Sequence, residues 1–445
     1  MERIRRSGTL LLGLALGACY VGADGSASTD EGESDSDGTA SPDGPSDPED
    51  LPGNLCGESG PEVSALKRLS VAQYSNTLRD LLGEVPGVFE SVQTLAAALP
   101  VDGGETRFAN MDNRLAVRHV DAWFAVAAAV GDAMLGDEAV LAALAGDCAA
   151  SAEIDDQCLE LFVSDFGLRV HRHPLSDEDR DGYLSLVSPD RTGPENYRDI
   201  AVTMLISPRF VYHFEVEGAP AIDRADLLVL DGYEIASRLS YHFWQSMPDD
   251  ELFASAADGS LNDDAGYQEQ LERLLQSDRT RETTEGFYRE WFVAREFGGL
   301  ADTPAFRTFS EDLDTFAGDP VVVGDALREA MHDELDALTS YYTFENDGMV
   351  SDLLTTNLSF TDSPLLAELY GVEPWDGTGQ PPEFSPGQRA GVHTRAATLV
   401  TGDHTTNPIH RGADIQHRLL CSEIPPPTPD QLPPDAVSYT HLTLP

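Results

Sequence analysis

From about residue 61 onward the apolar residues recur at the three-and-four spacing of a helix, and the period-two alternation of a half-buried strand is rare. Ser70-Val-Ala-Gln73 has the form of a capping box. Val71, Tyr74, Leu78, Leu81 and Leu82 then make one apolar stripe, which Gly83 terminates. Residues 113–135 are rich in Ala, Val and Leu around Trp123 and Phe124, as in a largely buried helix. Further helices are expected near 152–170, 176–188, 194–206, 231–245, 265–276, 279–295 and 323–342. The fold class expected is therefore mainly α: a multi-domain helical body whose part from 350 to 436 is richer in Pro, Gly and loops. At about 150 residues per domain, the length suggests about three domains. The composition shifts place helical domains at 61–140, 141–222 and 223–345 and a loop-rich one with a Pro-rich end at 346–436.

The body is preceded by two segments of different character. Residues 1–19 carry Arg3, Arg5 and Arg6, an apolar run from Leu10 to Leu16, and then Gly17-Ala18-Cys19. A basic start, a short apolar run and small residues form a secretory signal, and the run is too short to span a bilayer of ~30 Å. Leu-Gly-Ala-Cys resembles a bacterial lipobox, which implies cleavage before Cys19 and lipidation of its sulfur. Acyl chains contributing ~0.8 kcal/mol per buried CH₂ would then hold the protein at the cell envelope, in the outer membrane or periplasm. Residues 20–60 read as a disordered acidic linker: 20–52 hold ten Asp or Glu, no Lys or Arg, and no apolar period. Such a segment buries too little surface to offset its ordering entropy.

The charge is −50, from 78 acidic against 28 basic residues, and Lys67 is the single lysine among the latter. The leader contributes +2 and the stalk −10, which leaves −42 on the body. A surface of that sign repels a phosphate polyanion, so nucleic acid is excluded as a partner. Acidic residues are so abundant that an acidic cluster alone says little about metal binding, and no metal site is assigned.

Cysteine usage fits an oxidising compartment. Cys148 and Cys158 enclose nine residues and are the expected disulfide, worth ~2–3 kcal/mol by loop-entropy reasoning. Cys56 and Cys421 remain. They could pair with each other or with residues beyond this sequence.

Several segments carry a resemblance to a known family. Arg68-Leu-Ser-Val-Ala-Gln-Tyr-Ser-Asn-Thr-Leu-Arg-Asp-Leu-Leu-Gly83 looks like the opening of a domain of unknown function common in planctomycetes and myxobacteria. Arg169-Val-His-Arg-His-Pro-Leu175 and Ser207-Pro-Arg-Phe-Val-Tyr212 resemble the next domain of that series. Arg238-Leu-Ser-Tyr-His-Phe-Trp-Gln-Ser-Met-Pro-Asp-Asp-Glu-Leu252 is the most specific match, and Thr406-Asn-Pro-Ile-His-Arg-Gly412 running into Ile424-Pro-Pro-Pro427 resembles the closing motif. The resemblance spans roughly 63–430. It implies a secreted or surface protein, sometimes fused to or encoded beside c-type cytochrome modules, and no established activity. This chain departs from the pattern in lacking Cys-x-x-Cys-His, so no covalent haem or other cofactor is expected on it. It also stops where relatives continue into another small domain. Residues 437–445 share no character with the body and read as a non-native tail, which empties His441 of meaning.

The candidate ligand-binding residues are His404, Asn407, His410 and Arg411, with Asp249 and Arg209 elsewhere. Two imidazoles and a guanidinium between Gly402 and Gly412 could take a metal or an anion. The six-residue step across Pro408 is not a helical ligand spacing, however, and the plainer account is a loop in which Arg411 ties down carbonyls. Arg169, Arg172 and Arg209 read first as buried ion-pair partners. Asp177-Glu-Asp-Arg-Asp-Gly182 opens like a calcium loop but has Ser188 where the bidentate Glu belongs; capping by Ser176 explains it better. Asp249 or Ser246 is likewise expected as a helix cap. Trp123, Trp244 and Trp291 are expected in the core. No catalytic residue can be assigned. Two functions remain: a surface-anchored binding or scaffold component working with a c-type cytochrome or an extracellular polymer, and a periplasmic or surface enzyme, redox or hydrolytic and metal-dependent, with its site near 402–412.

Overall fold

The computed structural model describes residues 66–83, 85, 87–100, 108, 115–150, 155–215, 218–220, 228–292, 320–346, 348–400 and 408–422. Cys19, the acidic linker, Cys56, His404, Asn407 and the tail 437–445 lie outside them. The molecule is mainly α. Among the described residues the only named strands are two-residue pairs: β1 (Lys67–Arg68) with β2 (Tyr212–His213), and β3 (Ala219–Pro220) with β4 (Leu228–Val229), both antiparallel. No described helix is long and apolar enough to cross a membrane. The described residues form two compact units that divide between Thr284 and Glu285.

The N-terminal unit begins with α1 (Val71–Leu82). Ser70 Oγ accepts from the Gln73 amide at 3.1 Å, and Gln73 Oε1 accepts from the Ser70 amide at 3.1 Å, the reciprocal capping expected. It continues through α2 (Val88–Ala97), α3 (Val117–Gly136), α4 (Glu138–Ala145), α5 (Asp156–His171), α6 (Asp177–Leu184), α7 (Gly193–Leu205) and α8 (Pro208–Val211). Helices α3 and α7 approach closely at Gly131, where a Cβ would collide with Val202. Their core takes in Trp123, Val126, Val130, Phe162, Phe166, Ile200 and Met204. The disulfide Cys148–Cys158 forms, tying the short 3₁₀ turn Asp147–Ala150 to the start of α5. Ser176 caps α6. Asp177 to Asp181 wind around that helix, with Asp177 and Asp181 both meeting Arg180, and do not form a calcium loop. Helices α9 (Gly232–Trp244), α10 (Asp250–Ala257) and α11 (Asp264–Leu275) close over a smaller core of Leu239, Phe243, Trp244, Leu252 and Leu274.

Helix α12 (Asp278–Trp291) contains the division. The C-terminal unit holds its second half, α13 (Pro320–Ser340), α14 (Val350–Thr355), α15 (Pro364–Tyr370), the four-residue α16 (Ala396–Leu399) and α17 (Pro408–Asp414). Its core runs from Tyr288 and Phe292 through Leu335 and Leu338 to Phe360, Leu366, Tyr370 and Val392. Two wide π turns continue helices: Tyr341–Glu345 after α13 and Ile415–Leu419 after α17. Gly391, at φ +67°, donates its amide to the Thr356 carbonyl, and a Cβ there would strike the Leu354 carbonyl. That close approach starts the turn leading to His393 and Arg395.

Candidate functional site

The polar residues of the family-like motifs in the N-terminal unit hold helices together. Arg172 takes a left-handed φ of 58° at the end of α5 and is buried. Its guanidinium donates to the carbonyls of Arg209, Phe210 and Tyr212 at 2.6, 3.0 and 2.7 Å and lies over the Tyr241 ring. The expectation of a buried ion pair is corrected here: the partners are carbonyls, because the short α8 ends without intrahelical N–H donors for them. Arg169 is not buried; it reaches the Asp80 carbonyl at 3.2 Å and lies 3.8 Å from an exposed Asp250. Arg209 stacks over Phe214 at 5.2 Å.

The segment Tyr241 to Asp249 docks α9 on α1. Tyr241 and Thr77 share a hydroxyl hydrogen bond of 2.8 Å, Asn76 donates to the Gln245 carbonyl, and Ser246 donates to Asp80 at 2.5 Å. Trp244, buried as expected, lies between the guanidinium groups of Arg273 and Arg279, at 5.3 and 4.8 Å from its ring centre. Asp249 caps α10 through Leu252 and receives both arms of Arg273, at 2.7 and 2.9 Å. Burial alone would raise its carboxyl, but these hydrogen bonds hold it below the ordinary range. Both Asp249 oxygens are thus occupied.

The C-terminal unit carries the open site. Arg411 and Asp414 of α17, together with Ile415 and Arg418 of the π turn, face His393 and Thr398 across a shallow, open cleft whose enclosed space is about 20 Å³. Trp291 and Phe292 form one wall, their rings stacked 4.8 Å apart. Trp291 packs against the C-terminal core as expected but is only half-buried, at the core's edge. Its Nε1 donates to the Arg418 carbonyl at 3.0 Å, and Arg418 donates back to the Glu290 carbonyl at 2.7 Å. This exchange fixes the wide turn, a local form often found at functional sites. His393 meets the edge of Phe292 at 5.5 Å, and its buried Nε2 has no hydrogen-bond partner among the described residues. Burial, and then the charge of Arg411, lowers its pKa, so the imidazole is neutral at pH 7. Arg411 and Arg418 form no ion pair among the described residues, although Asp414 lies one turn from Arg411.

Of the expected binding residues, only Arg411 contributes a described side chain to this cleft. His410 lies on α17 beside it, while Asp249 and Arg209 belong to the N-terminal unit. The loop expected at Arg411 is corrected to a helix. Pro408 occupies the first turn, where its missing N–H costs nothing, and Gly412 is accommodated within the helix. His393 and Arg418 carry no signal in the sequence, where Trp291 reads as a core residue and not as a cleft wall. Among the described residues no group of His, Cys, Asp and Glu is placed to hold a metal ion.

The segment presenting His393 is anchored from beneath. Arg395, fully buried, donates to the Thr356 and Leu358 carbonyls at 3.2 and 2.7 Å and lies 3.7 Å from Glu334. Tyr370 donates to Glu334 at 2.7 Å and accepts from the Ala396 amide at 2.9 Å. Burial raises the Glu334 carboxyl against the pull of Arg395, and burial followed by Glu334 raises the Tyr370 phenol.

Fold and site together define a two-unit, mainly helical protein whose C-terminal unit holds an aromatic-walled cleft lined by Arg411, Arg418 and Asp414. Residues 67–136 match the family model described as PSD3, protein of unknown function (DUF1587), and residues 230–372 match PSD4, protein of unknown function (DUF1592). The two matches support a multi-domain protein of unknown function. No curated protein and no solved structure matches it.

Proposed function

We propose that this is a secreted lipoprotein, held at the cell envelope through Cys19, that serves as a binding component for a small anionic ligand. The observation that carries the binding reading is the cleft: two guanidinium groups without carboxylate partners among the described residues, beside a histidine with an unpartnered nitrogen, in a chain of net charge −50. Such a chain offers most of its arginines a carboxylate, so these two charges are available to a ligand. The leader, Leu-Gly-Ala-Cys and the acidic stalk support the anchoring. The domain series supports a c-type cytochrome or an extracellular polymer as the larger partner.

The anchoring is tested by cell fractionation with palmitate labelling. The wild-type chain should be labelled and sediment with membranes, and Cys19→Ser should be unlabelled and soluble. An unlabelled, soluble wild type refutes the anchor. The binding role is tested by titrating the purified chain with a panel of organic and inorganic anions while following Trp291 fluorescence. No response to any of them, or a response unchanged in Trp291→Phe, refutes the cleft as the site.

A further inference from the structure

We infer that the cleft recognises a single organic carboxylate, whose head group docks on Arg411 and Arg418 at its open mouth while an apolar body rests on Trp291. This deepens, and rests on, the reading of the cleft as a ligand site. Three features select the ligand. Arg411 presents a planar fork of donors, the geometry that matches a carboxylate at two points. Arg418 already gives one arm to the Glu290 carbonyl, so the cleft has donors for one small anionic head and not for several. The opposite wall is aromatic: Trp291 is held by its own Nε1 bond to the Arg418 carbonyl, so its ring is fixed before any ligand arrives. Ile415 and Leu419 extend that apolar surface around the same opening. The body's excess of carboxylates penalises each further negative charge on an approaching ligand, which favours a monoanion over phosphate.

The experiment is calorimetric titration of the purified full chain with benzoate, its neutral isostere benzamide, and inorganic phosphate. Benzoate should bind, with benzamide and phosphate at least tenfold weaker. Arg411→Gln should weaken benzoate about 10- to 100-fold, the loss expected when a charge-assisted hydrogen bond is removed. Arg411→Lys, which keeps the charge but not the fork, should fall between the two and controls for misfolding. Benzamide binding as well as benzoate, or phosphate binding more tightly with the same sensitivity at Arg411, overturns the carboxylate assignment and leaves the cleft a ligand site. No binding of any probe, or benzoate binding indifferent to both Arg411 variants and to Trp291→Phe, overturns the carboxylate assignment and the cleft together.

Discussion

Arg395→Met is the perturbation with the largest expected effect on the C-terminal unit. Arg395 is 0 % exposed and Glu334 1 % exposed, so neither charge reaches water. In the wild type the guanidinium sits 3.7 Å from Glu334 and satisfies two carbonyls that have no other side-chain donor among the described residues. Methionine fills similar space but leaves the carboxylate unpaired and the Thr356 and Leu358 carbonyls without those donors. Removing one partner of a buried pair costs about 3–5 kcal/mol. Replacing both partners by apolar residues of like volume is often far cheaper. Glu334→Leu with Arg395→Met should therefore cost clearly less than the sum of the two single changes, the shortfall reaching about 2 kcal/mol on the scale of coupled neighbours. Because the chain has two units, the readout should be local: hydrogen exchange of amides in α13 and α15, not a single unfolding midpoint. The deficit should also depend on pH in a defined sense. The folded pKa of Glu334 is raised, so the cost of its ionised form is absent below the ordinary carboxylate range and grows as pH rises through the folded value. Arg395→Met raises that pKa further, so its deficit relative to wild type should be smaller at pH 4 than at pH 8. A cost below about 1 kcal/mol, or strict additivity in the double variant, would refute the argument that the two charges depend on each other.

Two further outcomes follow from the N-terminal unit. Asp249→Ala removes the α10 cap and the bidentate Arg273 contact, and should cost about 2 kcal/mol, of which ~1 is the cap; Asp249→Asn, which can still cap, should recover part of it, as read by amide exchange in α10. His171, buried and bonded to the Tyr183 hydroxyl at 2.9 Å, has its pKa pushed down to about 4 by burial, Asp179 opposing and Arg209 and Arg172 adding to the shift. The unfolded imidazole, near 6.5, binds its proton first, so stability should be lost as pH falls from 6.5 to 4, and His171→Gln should flatten that part of the wild-type curve; an unchanged slope would remove His171 as a cause.

What could be read from the sequence was whatever depends on near neighbours along the chain. The α1 box, the Ser176 and Asp249 caps and the Cys148–Cys158 loop are fixed by residues within ten positions of one another. Misreadings arose where a distant partner decides. The charge inventory points Arg172 to carboxylates, yet its acceptors are carbonyls nearly forty residues on, visible only once α8 ends beside α5. Helix α17 is two turns long and contains Gly412, too short for periodicity to reveal, and its π turn depends on Trp291, 127 positions away. His393 had no signal because a lone histidine after Gly391 acquires meaning only from facing Arg411.

The cleft and the buried ion pair are parts of one device. His393 and Thr398 line the opening, while Arg395 and Ala396, between them in sequence, are tied downward to Glu334 and Tyr370. Alternate residues of one short segment thus serve the core and the ligand side. A lone surface arginine could swing toward any of the chain's many carboxylates; here the π turn and the Trp291 bond restrain Arg418, and the Arg395 anchor holds the opposite wall. Restraint of both walls fits the observation that, among the described residues, neither Arg411 nor Arg418 forms an ion pair although Asp414 lines the same cleft. The cost of the buried pair is therefore understandable as the means of placing His393 opposite Arg411, since an apolar core could match its stability but would not hold the Ala396 amide and its flanking residues in that one register.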